Sequence, residues 1–384
     1  MSYPDAMPVP GPHQLIAAEV SLFSGKARAY LRYKEIPFEE VQCTREVIET
    51  VVRPRTGLRM VPVLITDEDV AVQDTTAIID CCEARVTTRG VYPPTPRQRL
   101  AALLLEVYGD EWLLLPAMHY RWHYKRANLR FIMREFGQLI APRLPAVLHP
   151  LAGLPLVAYF GGAYGPVLGV TRHNRQAIEH WYQAFLRAFD AHLAEHRYLL
   201  GDRPSVGDFG LMGPLYAHLY RDPYPGRMMR TTAPRVARWV ERMNDPPATI
   251  GQWCADDEVP PTLDPIFRML FDEMWPVVEQ TVALVREWVR DHPDRSRMSR
   301  FVGRHGFSIG GSRATRRAQS FTQWMVQRPL THYRGCSTSE RDAMDTWLSR
   351  VGGRDAMQLQ VPVWLERRDD NRLYPAAEPS QASG

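Results

Sequence analysis

The sequence predicts an α+β N-terminal domain, then an all-helical domain, then a mostly helical C-terminal extension. Three observations carry this prediction. Residues 15–83 read as strand, helix, strand, then hairpin and helix. From Arg99 onward the apolar spacing turns wholly helical. Beyond both segments, residues 263–292 hold one long amphipathic stripe with Ile266, Leu270, Met274, Val277, Val278, Val282, Val285 and Val289 on its inner side. The boundaries that follow are 13–87 for the first domain, 97–250 for the second and 251–384 for the extension. Residues 1–12, with four prolines and no periodicity, read as a leader.

Taken in order, residues 15–18 form a buried strand and residues 21–33 a helix, with Ala27, Tyr30 and Leu31 on its inner side. Pro37 bars that helix from continuing. Residues 38–41 are a second strand and 45–52 a short helix before Pro54. Two more strands, 62–65 and 70–72, flank a Thr-Asp-Glu-Asp turn, and a helix runs over 77–83. Pro62 heads a buried strand, where proline is admitted only at an edge, a first position or a special turn. Asp74 and Thr75 bring a carboxylate and a hydroxyl to a helix start, where backbone N–H groups are free. Residues 88–98 are a proline-rich linker. Leu100, Leu103, Leu104 and Val107 then share one helix face, and Ile178, Trp181, Phe185 and Phe189 another. Ser205 and Asp208 stand at capping-box spacing ahead of an apolar run.

VPVL, a second strand, and QDTTAIID resemble the glutathione-binding half of glutathione S-transferases. Ser205-x-x-Asp208 resembles the capping box that nucleates that family's helical domain, and the likeness spans residues 13–245 in the same order. The resemblance implies a thioredoxin-like domain followed by an all-α glutathione S-transferase C-terminal domain. It also implies a cis Val61-Pro62 bond that turns the Val61 backbone towards glutathione, with Asp74 and Thr75 at its γ-glutamyl end. Lys26 or Arg59 would meet the glycyl carboxylate. SLFSGKAR falls where serine-using members carry their catalytic serine, which makes Ser21 the expected thiol activator, with Ser24 one helical turn on. A hydroxyl donor at a helix N-terminus favours a thiolate; equally, serine is a preferred N-cap. Tyr108 and Trp112, on the helix that lines the family's acceptor pocket, are expected substrate contacts or core. The expected activity is attack of glutathione thiolate on a small electrophile, with glutathione as co-substrate and a homodimer as the assembly. The alternative is a non-catalytic member that binds ligands or proteins.

Composition narrows the partners. Net charge is +4 and lysine occurs only as Lys26, Lys34 and Lys125, so nucleic acid is not expected as a partner. Eleven arginines against three acids over residues 286–334 read as a solvated face. Five cysteines lack disulfide or zinc spacing, which suits a reducing cytoplasm. His119 and His123 stand at i, i+4, but no third ligand has a motif near them, so no metal is expected. Residues 151–171 are uncharged and nearly long enough to cross a bilayer, up to Arg172. Two prolines and five glycines favour a buried connection there and no membrane partner. The extension, with its apolar stripe, is expected to pack on the helical domain and restrict its pocket.

Overall fold

The computed structural model describes residues 12–378; most of the expected leader, residues 1–11, lies outside them. Four strands, β1 (His13–Ala17), β2 (Phe38–Gln42), β3 (Val63–Ile65) and β4 (Ala71–Gln73), form one sheet in the order β2-β1-β3-β4. β1 and β2 are parallel, joined by α1 (Leu22–Tyr33), while β3 is antiparallel to both β1 and β4. The segment after β2 runs past Pro54. α2 (Arg45–Val47) widens into a π-helical turn (Ile48–Val52) and tightens again as α3 (Arg53–Thr56), ending at Gly57 with φ 70°. The proline stands at the first turn of α3, where its missing N–H costs no helical bond. α4 (Thr75–Arg85) completes the domain.

The second domain contains α5 (Pro96–Val107), a π-helical turn (Tyr108–Trp112), α6 (Leu114–His123), α7 (Lys125–Ile140), α8 (His149–Leu168), α9 (Arg175–His192), α10 (Val206–Ala217), α11 (Pro223–Thr232) and α12 (Pro234–Asn244). α10 is buried along nearly its whole length and packs on α1 and α5. Its start is the expected capping box. Asp208 accepts from Ser205 N at 2.8 Å and Ser205 Oγ at 3.0 Å, from Leu199 N at 3.1 Å and from Trp239 Nε1 at 3.2 Å. Gly109 and Gly210 meet with no room for a Cβ between them, so backbones rather than side chains join the π-turn to α10.

One expectation fails here. Residues 151–171 are not a buried connection but most of α8, paired with α7 as a helical hairpin and open to solvent on one face. Glycines fit a helix because Gly137 and Gly153 let α7 and α8 pack backbone to backbone.

The extension begins with a short turn (Pro261–Leu263) and α13 (Asp264–Met269). A π-helical turn (Leu270–Met274) then leads into α14 (Trp275–Asp291), so the single expected helix is interrupted just before Pro276. β5 (Phe301–Ile309) and β6 (Ser312–Gln319) form a hairpin turned by Gly310 and Gly311, both at positive φ. α15 (Ser320–Gly335), α16 (Thr338–Val351) and the small ladder of β7 (Trp364–Arg367) and β8 (Leu373–Ala376) follow. Ile266, Leu270, Met274, Val277, Met325 and Leu330 join the hydrophobic core that also holds Leu104, Tyr108 and Phe185. The extension and the helical domain therefore share one core, as the apolar stripe requires.

Candidate functional site

Strand register collects the candidate residues at one end of the sheet. Ile16 pairs with Val63, so Val61 and Pro62, just before β3, lie beside the end of β1 and the loop to Ser21. Val63 in turn pairs with Gln73, which puts Asp74 and Thr75 at the same end. Each position is shaped by its local backbone. Val61-Pro62 is cis, as expected. Asp74 has φ 84° and ψ 141°, a region that costs a non-glycine residue energy and persists where the surroundings impose it. Its Oδ1 accepts from Thr76 N at 2.9 Å and Ala77 N at 3.4 Å, capping α4, and burial raises its pKa against the opposing pull of Arg367 and Lys26.

Ser21 is the N-cap of α1, and its Oγ accepts from Ser24 N at 3.3 Å. That bond uses a lone pair, so the hydroxyl proton can still be donated outward. Ser24 is fully buried, its Oγ accepting from Ala18 N at 3.2 Å, which turns it inward. At this sheet end a cavity of about 410 Å³ opens between residues 17–20, Glu40, Gln42, Arg221 and the end of α7.

None of the expected site residues is in the lining of that cavity, and four of them are committed elsewhere. Lys26 is completely buried, with Nζ 2.8 Å from Glu106 Oε1 and 2.6 Å from Asp110 Oδ2. It is thereby committed to a seam between the domains and is not free for a glycyl carboxylate. One ammonium faces two carboxylates there, so burial and the Glu106 charge push Asp110 upward although Lys26 pulls it down. Thr76 Oγ1 donates to the same Glu106 at 2.9 Å. Arg59 is exposed and spans 2.8 Å to Glu49, held by its own domain. Tyr108 and Trp112 are fully buried. Tyr108 packs against Trp181 and Phe185, and Trp112 meets the edge of Phe307 at 6.0 Å with the Arg316 guanidinium 5.3 Å from its ring centroid. The extension thus fills the space against which these aromatic residues were expected to hold a substrate.

The extension also reaches the sheet end itself, which the sequence reading missed. Arg367 of β7 donates to Gln73 O at 2.9 Å and to the Gln73 side chain, one residue before Asp74. Asn371 donates to Thr56 O at 3.0 Å, and Met325 of α15 lies against Thr76. Thr322 Oγ1 donates to the buried Glu111 at 2.5 Å, and Arg328 grips Asp80. No spacing in the sequence connects residues nearly three hundred positions apart. Glu106 and Asp110, by contrast, are i, i+4 on one helix face and could have been read as the counter-charge to a buried lysine. His119 turns to Glu179 at 2.7 Å, and among the described residues no group of three or more His, Cys, Asp or Glu side chains is placed to hold a metal.

A thioredoxin-like sheet with a helical domain packed on its α1 and α4 side defines a two-domain class of proteins. Residues 15–89 match the family model of the glutathione S-transferase N-terminal domain, and residues 175–242 that of the C-terminal domain. Residues 15–89 and 175–242 are thus the N- and C-terminal domains of the glutathione S-transferase family. No curated protein is matched by its sequence. Among solved structures, it is similar to a glutathione S-transferase from Rhodospirillum rubrum at 15% identity, covering 65% of this chain and 97% of that one, with a TM-score of 0.39. A Methylobacterium radiotolerans glutathione S-transferase in complex with glutathione sulfonate shares 20% identity over 64% of this chain and 98% of that one, with a TM-score of 0.35. The beta-etherase LigF from Sphingobium shares 17% identity over 62% and 96%, with a TM-score of 0.45.

Proposed function

We propose that this chain binds glutathione at the sheet end formed by Ser21, Val61, Pro62, Asp74 and Thr75, and that the bound thiolate attacks a small electrophile. The sulfur would form the new bond to carbon, and the electrophile would lose its leaving group or take up a proton. The observation that carries this reading is Ser21, capping α1 with a hydroxyl still able to donate, at the same sheet end as the strained Asp74 cap. In this reading the Asp74 carboxylate receives the γ-glutamyl ammonium group, the Thr75 hydroxyl and backbone N–H at the start of α4 receive its carboxylate, and the Val61 backbone pairs with the cysteinyl amide. Lys26 and Arg59 take no part. The five unpaired cysteines suit a reducing cytoplasm, and a homodimer is the assembly to test by light scattering.

Titrating the ultraviolet thiolate absorbance of bound glutathione tests the proposal. One hydrogen bond plus the helix end lowers the thiol pKa by roughly one to two units, each about 1.4 kcal/mol. Ser21→Ala returns the titration curve towards free glutathione while binding persists through Asp74 and Val61. Coincident curves for the two proteins mean that Ser21 only caps α1.

A second reading, binding without turnover, is favoured by the burial of Tyr108 against Trp181 and Phe185 and of Trp112 beneath Phe307 and Arg316, which occupies the expected acceptor side. It predicts that glutathione binds with an unshifted thiol in the unmodified protein.

A further inference from the structure

The α7–α8 hairpin is unlike the rest of the surface. Nine large hydrophobic side chains are prominently exposed among the described residues, and seven of them lie here: Ile140, Leu144, Val147, Leu148, Leu151, Leu154 and Tyr159. Val147 at the tip is 80% exposed and Leu151 65%. Along α8, Leu151, Leu154, Ala158 and Tyr159 recur at helical spacing, so they share one solvent-facing stripe. Solvent-facing apolar residues this concentrated mark an interaction surface, not an ordinary solvated face.

Charge indicates what covers it. Residues 149–168 contain no acidic residue, lysine or arginine. Over residues 125–175 there are seven basic residues against a single acid, Glu135, which is already paired with Arg221 at 2.6 Å. Arg126, Arg130 and Arg134 repeat every four residues along the exposed side of α7, antiparallel to α8, and Arg143 sits inside the apolar tip between Ile140 and Leu144. Among the described residues these four have no ion-pair partner. No helix among the described residues is long and apolar enough to cross a membrane. A surface that is apolar at its centre and basic at its margin, on a hairpin packed against the sheet end, matches the requirements of in-plane attachment to a bilayer.

We propose that the α7–α8 hairpin docks this chain on an anionic lipid surface, its tip and the Leu151–Leu154 stripe entering the headgroup–acyl boundary and its arginines meeting lipid phosphates. A second copy of the chain would leave those arginines facing one another across a symmetric contact; anionic headgroups neutralise them. The inner side of the hairpin borders the sheet end, where Glu135, Gln138 and Leu139 of α7 line the cavity beside residues 17–20; the stripe proposed for the lipid faces the other way, into solvent.

Co-sedimentation with vesicles of phosphatidylcholine containing about 30% phosphatidylglycerol tests this, with pure phosphatidylcholine vesicles as the reference. Binding is expected to be at least about tenfold stronger to the anionic vesicles and to weaken at high salt. Leu151→Gln with Leu154→Gln lowers partitioning about tenfold or more. Arg134→Gln with Arg143→Gln lowers it about 25-fold, at about fivefold per basic residue. All four side chains are solvent-facing, so melting temperature stays unchanged and serves as the folding control. Absence of binding, or equal binding to both vesicle types, overturns the proposal. So does a leucine variant that shrinks the assembly in vesicle-free buffer, which would assign the face to a second copy.

Discussion

Lys26 and Arg59 offered the same thing in the sequence, a cation near a glutathione-binding motif, and the fold gave them opposite fates. Lys26 lies wholly inside the seam between the domains, with two carboxylates within 2.8 Å. Arg59 is 60% exposed at its side chain and shares Glu49 with Arg53. In the seam, water no longer screens the charge, and each group needs its partner to offset desolvation. At the rim, solvent supplies most of what the partner supplies, so the pair contributes little. Proximity in sequence to a motif therefore does not make a charge available; accessibility does.

The largest expected effect tests the seam. Lys26→Met removes the ammonium and leaves Glu106 and Asp110 facing each other, which costs about 3–5 kcal/mol. A urea melt measures it. A loss below about 1 kcal/mol would mean that one of the carboxylates is already protonated and the pair is not coupled as drawn.

Asp208 sharpens the contrast, because it is buried with hydrogen-bond donors and, among the described residues, has no ion-pair partner. Burial raises its pKa to about 6 against an ordinary value of 3.8. The folded state then holds the proton more tightly than the unfolded chain, so the stabilisation is complete below about pH 4 and is lost as pH rises through about 6. The change amounts to about 3 kcal/mol, from roughly two pKa units at about 1.4 kcal/mol each. Asp208→Asn cannot titrate, so its stability should be flatter over that window whatever its absolute value. Chemical denaturation at a series of pH values checks this, and an unchanged slope would place the titration elsewhere.

The smallest effect is expected at the rim. Arg59→Ala should change stability by no more than about 0.5 kcal/mol. Glutathione affinity should also stay within about twofold, measured by calorimetry. A tenfold loss of affinity would restore Arg59 to the site.

The sequence alone determined the order and type of the elements from β1 to α5, and of α9 and α10, because short-range signals set them. Period-two and period-3.6 apolar spacing set strands and helices, and caps such as Ser21, Asp74 and Ser205 set the starts of α1, α4 and α10. It also supplied the motifs at the sheet end, since strand register carries Val61 and Asp74 to the place their neighbours in the chain dictate. Three features were decided only by tertiary structure. Whether Lys26 faces a ligand or a seam depends on Glu106 and Asp110, eighty residues away. Whether Trp112 lines a pocket or fills a core depends on Phe307 and Arg316, brought in by the extension. The solvent-facing stripe of α8 reads in sequence like any buried, glycine-rich segment, because composition reports how apolar a helix is and not which neighbours are left to cover it. Burial is a property of the assembled chain, and local pattern carries no information about the partner that arrives from far along it.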